Sequence, residues 1–392
     1  MTASSQSRAS TSELCDEVHR RLVDCPFPGE SIDRSTIIGL AKEIEPLLGA
    51  ADLGEVATTV LARVEGTGPL HALLADESVT DIMVNGPGRV WVERNGALED
   101  AGVEIDLTEI ERLIERTVAR VGRRVDPGSP MADARLADGS RVNVVVPPIA
   151  LDGPCVTIRR FGAAPIDVDA MCPEGVGPLL RWAVEARMNV LISGGTGAGK
   201  TTLLNALAAQ ISRTERVVSI EDAAELRLPI AHVVRLEARP PNTEGRGAVT
   251  IHELVRNALR MRPDRIIVGE VRGAEAFDMI WAMNTGHEGS FSTIHANSIS
   301  DAVARLELMM IQADGSLPLW AANQQIGAAI DLVVQVERRP SGRAVVDVGE
   351  LVFEDRSWIC RSLIEQPGLA RLPSRPSRWS WSRAPSQGWC VR

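Results

Sequence analysis

The chain has 392 residues, enough for two or three domains, and its hydrophobic (44%) and charged (24%) fractions are ordinary for a globular protein with its own core. Its net charge of −10 argues against a general nucleic-acid binder, which would carry a basic stripe. The six cysteines are scattered without a close pair, which argues against a zinc site or a C-x-x-C redox motif.

The sequence predicts neither an export signal nor a membrane-spanning segment. Residues Met1 to Thr11 are polar and lack the apolar stretch of a signal peptide. No apolar run approaches the roughly 18 residues that a transmembrane helix requires. We therefore predict a cytoplasmic protein that associates with the inner face of a membrane only through partners.

Residues 1–64 are predicted to form a disordered start followed by a small helical bundle. The first twelve residues are rich in Ser, Thr and Ala. Beyond them, apolar residues recur at helical spacing, as in Ile37, Leu40, Ala41 and Ile44, and glycines punctuate the segment.

Residues 65–163 are predicted to form an α+β N-domain. Two Asn-Gly turns, Asn85-Gly86 and Asn95-Gly96, flank the alternating segment Arg89 to Glu93, which is typical of short strands joined by hairpins. The domain is expected to contain an amphipathic helix from Leu107 to Val121. Two further strands are expected at Val142 to Val146 and at Cys155 to Ile158.

Strand and helix patterns alternate over residues 173–355, which predicts a mostly parallel α/β sheet. The Pro- and Asp-containing residues 164–172 are interpreted as the linker that precedes this domain. After Gln366 the composition changes, because Arg, Pro and Trp become frequent and acids are absent. We predict that residues 356–392 form a disordered C-terminal extension.

The strongest motif is a complete G-x-x-x-x-G-K-[ST] phosphate-binding loop. It consists of Gly194, Gly195, Thr196, Gly197, Ala198, Gly199, Lys200 and Thr201, with Thr202 directly after it. An apolar strand candidate precedes the loop and helix-forming sequence follows it. Glycines let backbone N–H groups face phosphates, Lys200 supplies a charge for the β- and γ-phosphates, and Thr201 offers a hydroxyl to Mg²⁺. The alternative, a glycine-rich turn that binds nothing, fits this order poorly.

Two further strands are predicted to end in carboxylates. Val217 to Asp222 ends in Glu221 and Asp222, and Arg265 to Glu270 ends in Glu270. Open α/β sheets place their chemistry at the carboxyl ends of parallel strands, so Glu270 is a candidate to orient or deprotonate the attacking water. The alternative is a solvated loop charge. Thr250 and Glu253 form a capping-box pattern on the preceding helix, which favours an ordered strand.

His287 and His295 flank another probable strand, Gly289 to Ile294. Taken singly, a buried histidine that is bonded to the backbone is the commoner explanation for each. The sequence places no cysteine or third histidine nearby, which argues against zinc ligation.

These segments resemble three motifs of the type II/IV secretion ATPase superfamily (GspE/VirB11-like). Leu259 to Gly273 resembles its atypical Walker B motif, Thr285 to Asn297 its His box, and Ser219 to Asp222 its Asp box. Within the superfamily, the chain is most similar to the TadA/CpaF ATPases of tight-adherence (Flp) pili. Asp81 to Gly86, Asp133 to Arg141 and Thr157 to Phe161 carry that similarity. The resemblance covers roughly residues 65–355.

The resemblance implies a RecA-like ATPase domain behind a PAS-like α+β N-domain, assembled as a homo-hexamer. It implies ATP and Mg²⁺ as cofactors, with ATP held between the two domains. It also implies that N-domain arginines reach the phosphates, and Arg135, Arg141 and Arg159 occupy the matching positions; a surface charge is the alternative for each. Glu270, Glu221, His295 and Lys200 become catalytic candidates, with His295 in a phosphate-sensing role. Thr201 and Glu221 are the candidates to hold Mg²⁺.

We therefore predict an ATP-hydrolysing motor that works with inner-membrane platform proteins of a Tad/Flp pilus or secretion system. A VirB11-like type IV secretion ATPase and a pilus-retraction motor are the alternatives within the superfamily. The tetracysteine zinc module of many type II secretion and pilus-assembly ATPases is absent from the sequence, which weakens a strict type II assignment. A nucleic-acid translocase or helicase is the alternative from another class, and the acidic charge and the His box argue against it.

Overall fold

The fold was analysed in a computed structural model, which describes residues 14–15, 17–22, 34–65, 67–94, 96–120, 124–136, 138–160, 166–241, 246–339, 342–354, 357–365 and 368–374. The chain divides into an N-terminal unit, Met1–Ala163, and a C-terminal unit, Ala164–Arg392. Within the described ranges, no helix combines the length and the apolar character needed to cross a bilayer.

The N-terminal unit begins with three helices that share a small core. They are α1, whose described residues are 14–15 and 17–22, α2 (Arg34–Ile44) and α3 (Ala50–Glu65). Val18, Ile37, Ala41, Val56 and Val60 are completely buried between them. The apolar residues at helical spacing therefore face one another, as the sequence predicted. The predicted disordered start, residues 1–12, lies outside the described residues.

A six-stranded antiparallel sheet follows, in the order β3-β2-β1-β6-β5-β4. Its elements are the 3₁₀ turn Gly68–Leu70, α4 (His71–Ala75), β1 (Val79–Asn85), β2 (Gly88–Arg94), β3 (Ala97–Ile105), α5 (Leu107–Arg120), β4 (Met131–Arg135), β5 (Arg141–Val145) and β6 (Cys155–Arg159). Helix α5 packs its apolar stripe, which includes Ile110 and Leu113, on the buried face of the sheet. The predicted strands and helix are confirmed here; Asn95 of the second predicted turn lies outside the described residues.

The first Asn-Gly turn depends on glycine. Gly86 has a φ of +83°, and a side chain there would run into the carbonyl oxygen of Asp152. Glycine alone accepts this backbone conformation and this close approach without strain.

The C-terminal unit is built on an eight-stranded sheet in the order β14-β13-β12-β7-β11-β10-β8-β9. Six neighbouring strands, β12 to β9, are parallel, and β13 and β14 add an antiparallel edge. The strands are β7 (Val190–Gly194), β8 (Val217–Glu221), β9 (Val233–Glu237), β10 (Arg265–Val271), β11 (Phe291–His295), β12 (Leu332–Arg339), β13 (Gly342–Glu354) and β14 (Ser357–Ser362). The small pair β15 (Ile364–Glu365) and β16 (Gly368–Leu369) follows.

Helices cover both faces of this sheet, which gives the predicted α/β layers. They are the 3₁₀ turn Val168–Met171, α6 (Val176–Glu185), α7 (Lys200–Ala208), α8 (Ile251–Ala258), α9 (Glu275–Asn284), α10 (Ile299–Ala313) and α11 (Leu319–Ala329). One core lies between the sheet and α6 and α7, and the other lies between the sheet and α8 to α11. The predicted capping box on α8 is present, since Thr250 and Glu253 bond each other's backbone N–H groups.

Both predicted edges of this domain need correction. The predicted linker reaches residue 172, yet Val168 and Met171 are buried in the core beside α6 and α7, because both are apolar. The extension predicted from residue 356 supplies β14, which pairs with β13 over Gly349 to Glu354. Trp358 anchors that strand by packing against Gly327 of α11. Residues 356, 366–367 and 375–392 of the predicted disordered extension lie outside the described residues.

Candidate nucleotide-binding site

The predicted strand, glycine loop and helix occur in the required order. All five residues of β7 are buried, the loop follows Gly194, and α7 begins at Lys200. Gly197 and Gly199 adopt φ values of +68° and +102°, a region that side chains avoid. A Cβ on Gly194 would lie 2.5 Å from the carbonyl oxygen of Val336. Glycine at these positions is therefore required by the loop geometry itself.

Lys200 is fixed over the start of the loop. Its Nζ donates hydrogen bonds to the carbonyl oxygens of Gly194 (2.9 Å) and Gly195 (3.0 Å). Thr201 and Thr202 follow in the first turn of α7, where unpaired backbone N–H groups and the helix dipole favour an anion. A cation and a helix N-terminus thus converge on one place, which is the arrangement that binds phosphate groups.

The catalytic candidates lie at one edge of the sheet. Glu221 ends β8, Glu270 lies near the end of β10, and His295 ends β11. The register places His295 directly beside Gly194. Because β8, β10, β11 and β7 are adjacent and parallel, the strand order brings these side chains to the edge that carries the phosphate loop.

Glu270 lies between two cations. Its Oε1 is 3.8 Å from Nζ of Lys200, and its Oε2 accepts a 2.8 Å hydrogen bond from Nε of Arg272. Arg272 also lies 3.9 Å from Asp222, at the end of the neighbouring strand. Arg272 is not among the site residues predicted from the sequence, although a charge two residues after a candidate base is a visible signal. This carboxylate is held near the lysine that faces the phosphate position.

Glu221 occupies a different environment. It is 3% exposed, and its Oε2 accepts hydrogen bonds from the backbone N–H groups of Glu225 (2.6 Å) and Leu226 (2.8 Å). Its Oε1 is buried without a hydrogen-bond partner. Burial raises the pKa of this carboxyl group to about 7, although the two N–H groups act in the opposite direction. Glu221 therefore anchors the turn after β8, and its second oxygen is left for a further partner.

His287 is partly buried and contacts the backbone. Its Nδ1 lies 3.3 Å from the carbonyl oxygen of Ala282, and its own carbonyl oxygen accepts a hydrogen bond from the Ser290 hydroxyl. These contacts hold the turn between α9 and β11.

The three candidate arginines of the N-terminal unit form a row. Arg135 on β4 lies opposite Arg141 on β5, which lies opposite Arg159 on β6. Asp81 on β1 continues the row and lies 3.2 Å from Arg159. The strand register thus brings together three guanidinium groups that are up to 24 residues apart in sequence.

Comparison with known proteins identifies the family. The family model described as "Type II/IV secretion system protein" matches residues 63–354, most of the chain. The chain belongs to this family.

The relatives of this secretion family member span most of its length. A provisionally named conjugal transfer protein of Mycobacterium tuberculosis is 40% identical over 309 residues, covering 76% of this chain and 87% of the relative. The type IV secretion system protein PtlH homolog of Bordetella bronchiseptica is 39% identical over 314 residues, which cover 71% of this chain and 92% of the relative. The conjugal transfer protein TrbB of Rhizobium radiobacter is 36% identical over 288 residues, covering 71% and 85%.

Solved structures confirm the predicted fold class. The ATPase DotB of Yersinia pseudotuberculosis superposes with a TM-score of 0.54 at 19% identity, covering 75% of this chain and 80% of DotB. The pilus retraction motor PilT, solved with bound ADP, gives a TM-score of 0.52 at 17% identity, covering 74% of this chain and 82% of PilT. The resemblance to the superfamily is confirmed, whereas the closer similarity to the TadA/CpaF branch stays a prediction.

The residues of this family member fit a magnesium ion that arrives with a nucleotide. Thr201 supplies a hydroxyl oxygen beside the phosphate position, and the orphaned Oε1 of Glu221 is a second hard oxygen donor. Mg²⁺ prefers such donors and takes most of its shell from phosphates and water. Among the described residues, no group of three His, Cys, Asp or Glu side chains forms a metal cage.

Proposed function

We propose that this protein hydrolyses ATP with Mg²⁺ and works as the motor of a type IV secretion or pilus-assembly machine. The observation that carries the proposal is the placement of Lys200 on the phosphate loop with Glu270 3.8 Å away at the same sheet edge. A phosphate-binding cation and a carboxylate base are thus held together before any substrate arrives. Preorganised charge of this kind supports phosphoryl transfer.

In the proposed reaction, the first turn of α7 and Lys200 bind the β- and γ-phosphates, and Thr201 would hold Mg²⁺. The ion would neutralise phosphate charge. Glu270 orients a water molecule and takes its proton as the water oxygen bonds to the γ-phosphorus. The bond from that phosphorus to the ADP oxygen breaks, and ADP and phosphate are released. Arg272 holds the Glu270 carboxylate toward the edge of the sheet that carries the phosphate loop. Arg135, Arg141 and Arg159 are proposed to approach the phosphates from the N-terminal unit and stabilise the developing charge, and His295 is proposed to sense the γ-phosphate.

The machine served by this motor is a finer part of the proposal. The relatives above carry type IV secretion and conjugal transfer names, which supports a VirB11-like secretion role. The motifs around Asp81, Arg135 and Thr157 support a Tad/Flp pilus role. In either role, we propose a homo-hexamer at the cytoplasmic face of a membrane, attached to platform proteins. Crosslinking in intact cells and identification of the attached membrane protein distinguish the two roles.

Two substitutions test the enzymatic proposal. Glu270→Gln keeps the shape of the side chain and removes the base, so we expect ATP affinity within about tenfold of the wild-type value and almost no phosphate release. Lys200→Ala is expected to weaken ATP binding as well. Glu237→Gln, at the exposed end of β9, is the matched control and should hydrolyse ATP normally. Wild-type rates in Glu270→Gln would remove Glu270 from the mechanism, and wild-type ATP binding and hydrolysis in Lys200→Ala would refute the site.

A nucleic-acid translocase would respond to DNA in an ATPase assay. Its ATPase rate should rise on addition of single- or double-stranded DNA. We expect no such stimulation, because the chain carries a net charge of −10.

A further inference from the structure

The hairpin formed by β12 and β13 carries arginines that lie against the phosphate loop. A Cβ built on Gly199 would lie 2.9 Å from Cδ of Arg343 and 3.3 Å from its Cβ, so the arginine stem covers this glycine. A Cβ built on Gly197 would lie 3.6 Å from a guanidinium nitrogen of Arg338. Both side chains therefore approach the loop from the side of β12 and β13.

The Arg343 guanidinium reaches the first turn of the helix that follows the loop. Its Nη1 lies within 3.4 Å of the hydroxyl of Thr202, the third residue of α7. The unpaired N–H groups of this turn define where an anion is favoured. The half-buried guanidinium thus lies at the edge of the phosphate position, although it is 141 residues from Thr202 in sequence.

The two arginines also lie directly opposite each other. The register of the hairpin pairs Arg338 with Arg343, and it pairs Arg339 with Gly342. Side chains in directly opposed positions lie on the same face of an antiparallel pair. The planar forks of two guanidinium groups on one face match phosphate oxygens.

We infer that Arg343, together with Arg338, binds the phosphate groups of the nucleotide from within the same chain and so completes the cradle around Lys200. The inference rests on the proposed function, because it assigns further residues to the same nucleotide site. It places two cations of the C-terminal unit at the phosphates in addition to Lys200.

The test compares ADP binding to the full-length wild-type protein and to Arg343→Ala by calorimetry. One charge-assisted hydrogen bond is lost, so we expect ADP affinity to fall about 10- to 100-fold. Arg338→Ala should lower it in the same direction. Arg339→Ala is the matched control: it removes the same charge from the same hairpin, but Arg339 alternates to the other face and lies 3.8 Å from Glu337. Its ADP affinity should stay within about twofold of the wild-type value.

Two further measurements make the result specific to phosphate. Adenosine, which lacks phosphates, should bind wild type and Arg343→Ala equally; an equal loss for adenosine and ADP would overturn the assignment. Without nucleotide, Arg343→Ala should still melt cooperatively, which separates a loss of ADP affinity from a loss of folding. If this variant fails to fold, Arg338→Ala, at an exposed position, decides the question alone.

The outcomes separate the two proposals. Failure of the wild-type protein to bind ADP or ATP would refute the proposed function and this inference together. Normal ADP binding by the wild type, with unchanged affinity in Arg343→Ala and Arg338→Ala, would overturn the inference and leave the proposed function intact.

Discussion

Replacing Glu221 by Gln should change how the stability of the C-terminal unit depends on pH. The carboxyl group is 3% exposed, and burial raises its pKa from 4.5 to about 7. Gln keeps the oxygen that accepts hydrogen bonds from Glu225 and Leu226, and it never ionises. The substitution therefore imitates the protonated state of Glu221 at every pH.

The sign and size follow from proton binding. Below pH 4.5 the folded and unfolded states both hold the proton, so Glu221 contributes no pH dependence. Between pH 4.5 and about 7 the unfolded chain has lost the proton while the folded protein retains it, so wild-type stability falls as the pH rises. At about 1.4 kcal/mol per pH unit, the full difference is on the order of 3 kcal/mol above pH 7.

Urea unfolding without nucleotide, followed by tryptophan fluorescence, to which the buried Trp182 of this unit contributes, measures this difference. From pH 5 to pH 8, the free energy of unfolding of Glu221→Gln should rise relative to wild type by roughly 2–3 kcal/mol. Asp222→Asn is the control, because Asp222 is the next residue and is exposed; its difference from wild type should not vary with pH in this range. A constant difference for Glu221→Gln would show that Glu221 is ionised throughout and that its Oε1 has a partner.

Two further predictions test packing and the N-terminal unit. Gly327→Ala should destabilise the protein by about 1–3 kcal/mol in urea unfolding, because the new methyl group overlaps the Trp358 ring, whereas Gly39→Ala, in open space on α2, should stabilise it by up to about 1 kcal/mol. Equal effects would mean that Trp358 does not hold β14 against α11. Arg141→Ala should lower the ATP turnover number by at least about 100-fold with an unchanged melting midpoint, since arginine fingers contribute ~10³–10⁵ in rate, whereas Arg89→Ala, on β2, should leave turnover unchanged; full activity in Arg141→Ala would exclude a phosphate contact for that residue.

The phosphate loop and the strand ends were predictable because their signals are local. Gly194 to Thr201 carry a fixed spacing, and the buried strands before Gly194 and Glu270 are short apolar runs. Parallel strands end at one edge, so the sequence order of strand and carboxylate was sufficient to place Glu221 and Glu270 together. The positions of the phosphate loop and of the two carboxylates therefore follow from the local sequence order and the parallel sheet.

Contacts between distant segments were not predictable in the same way. The apposition of Arg343 and Thr202 depends on the register of a hairpin that closes beside β7. Arg265 is another example: it is 2% exposed and forms a bidentate ion pair with Glu215, at the amino end of the sheet. A sequence reader expects an arginine to be solvated, and a buried arginine becomes intelligible only once its partner is in place.

Both units present guanidinium groups in directly opposed strand positions: the row of Arg135, Arg141 and Arg159 in one, and the pair of Arg338 and Arg343 in the other. Each of these rows consists of residues that we propose to bind phosphate. The hairpin pair belongs to the same sheet as the phosphate loop, so its contact with nucleotide is present whenever nucleotide is bound. The N-terminal row belongs to the other unit, and we propose that it acts in the chemical step. The hairpin pair should therefore control nucleotide affinity, and the N-terminal row should control the rate of hydrolysis. A double variant with one substitution in each row should then show the same loss of ADP affinity as the hairpin substitution alone.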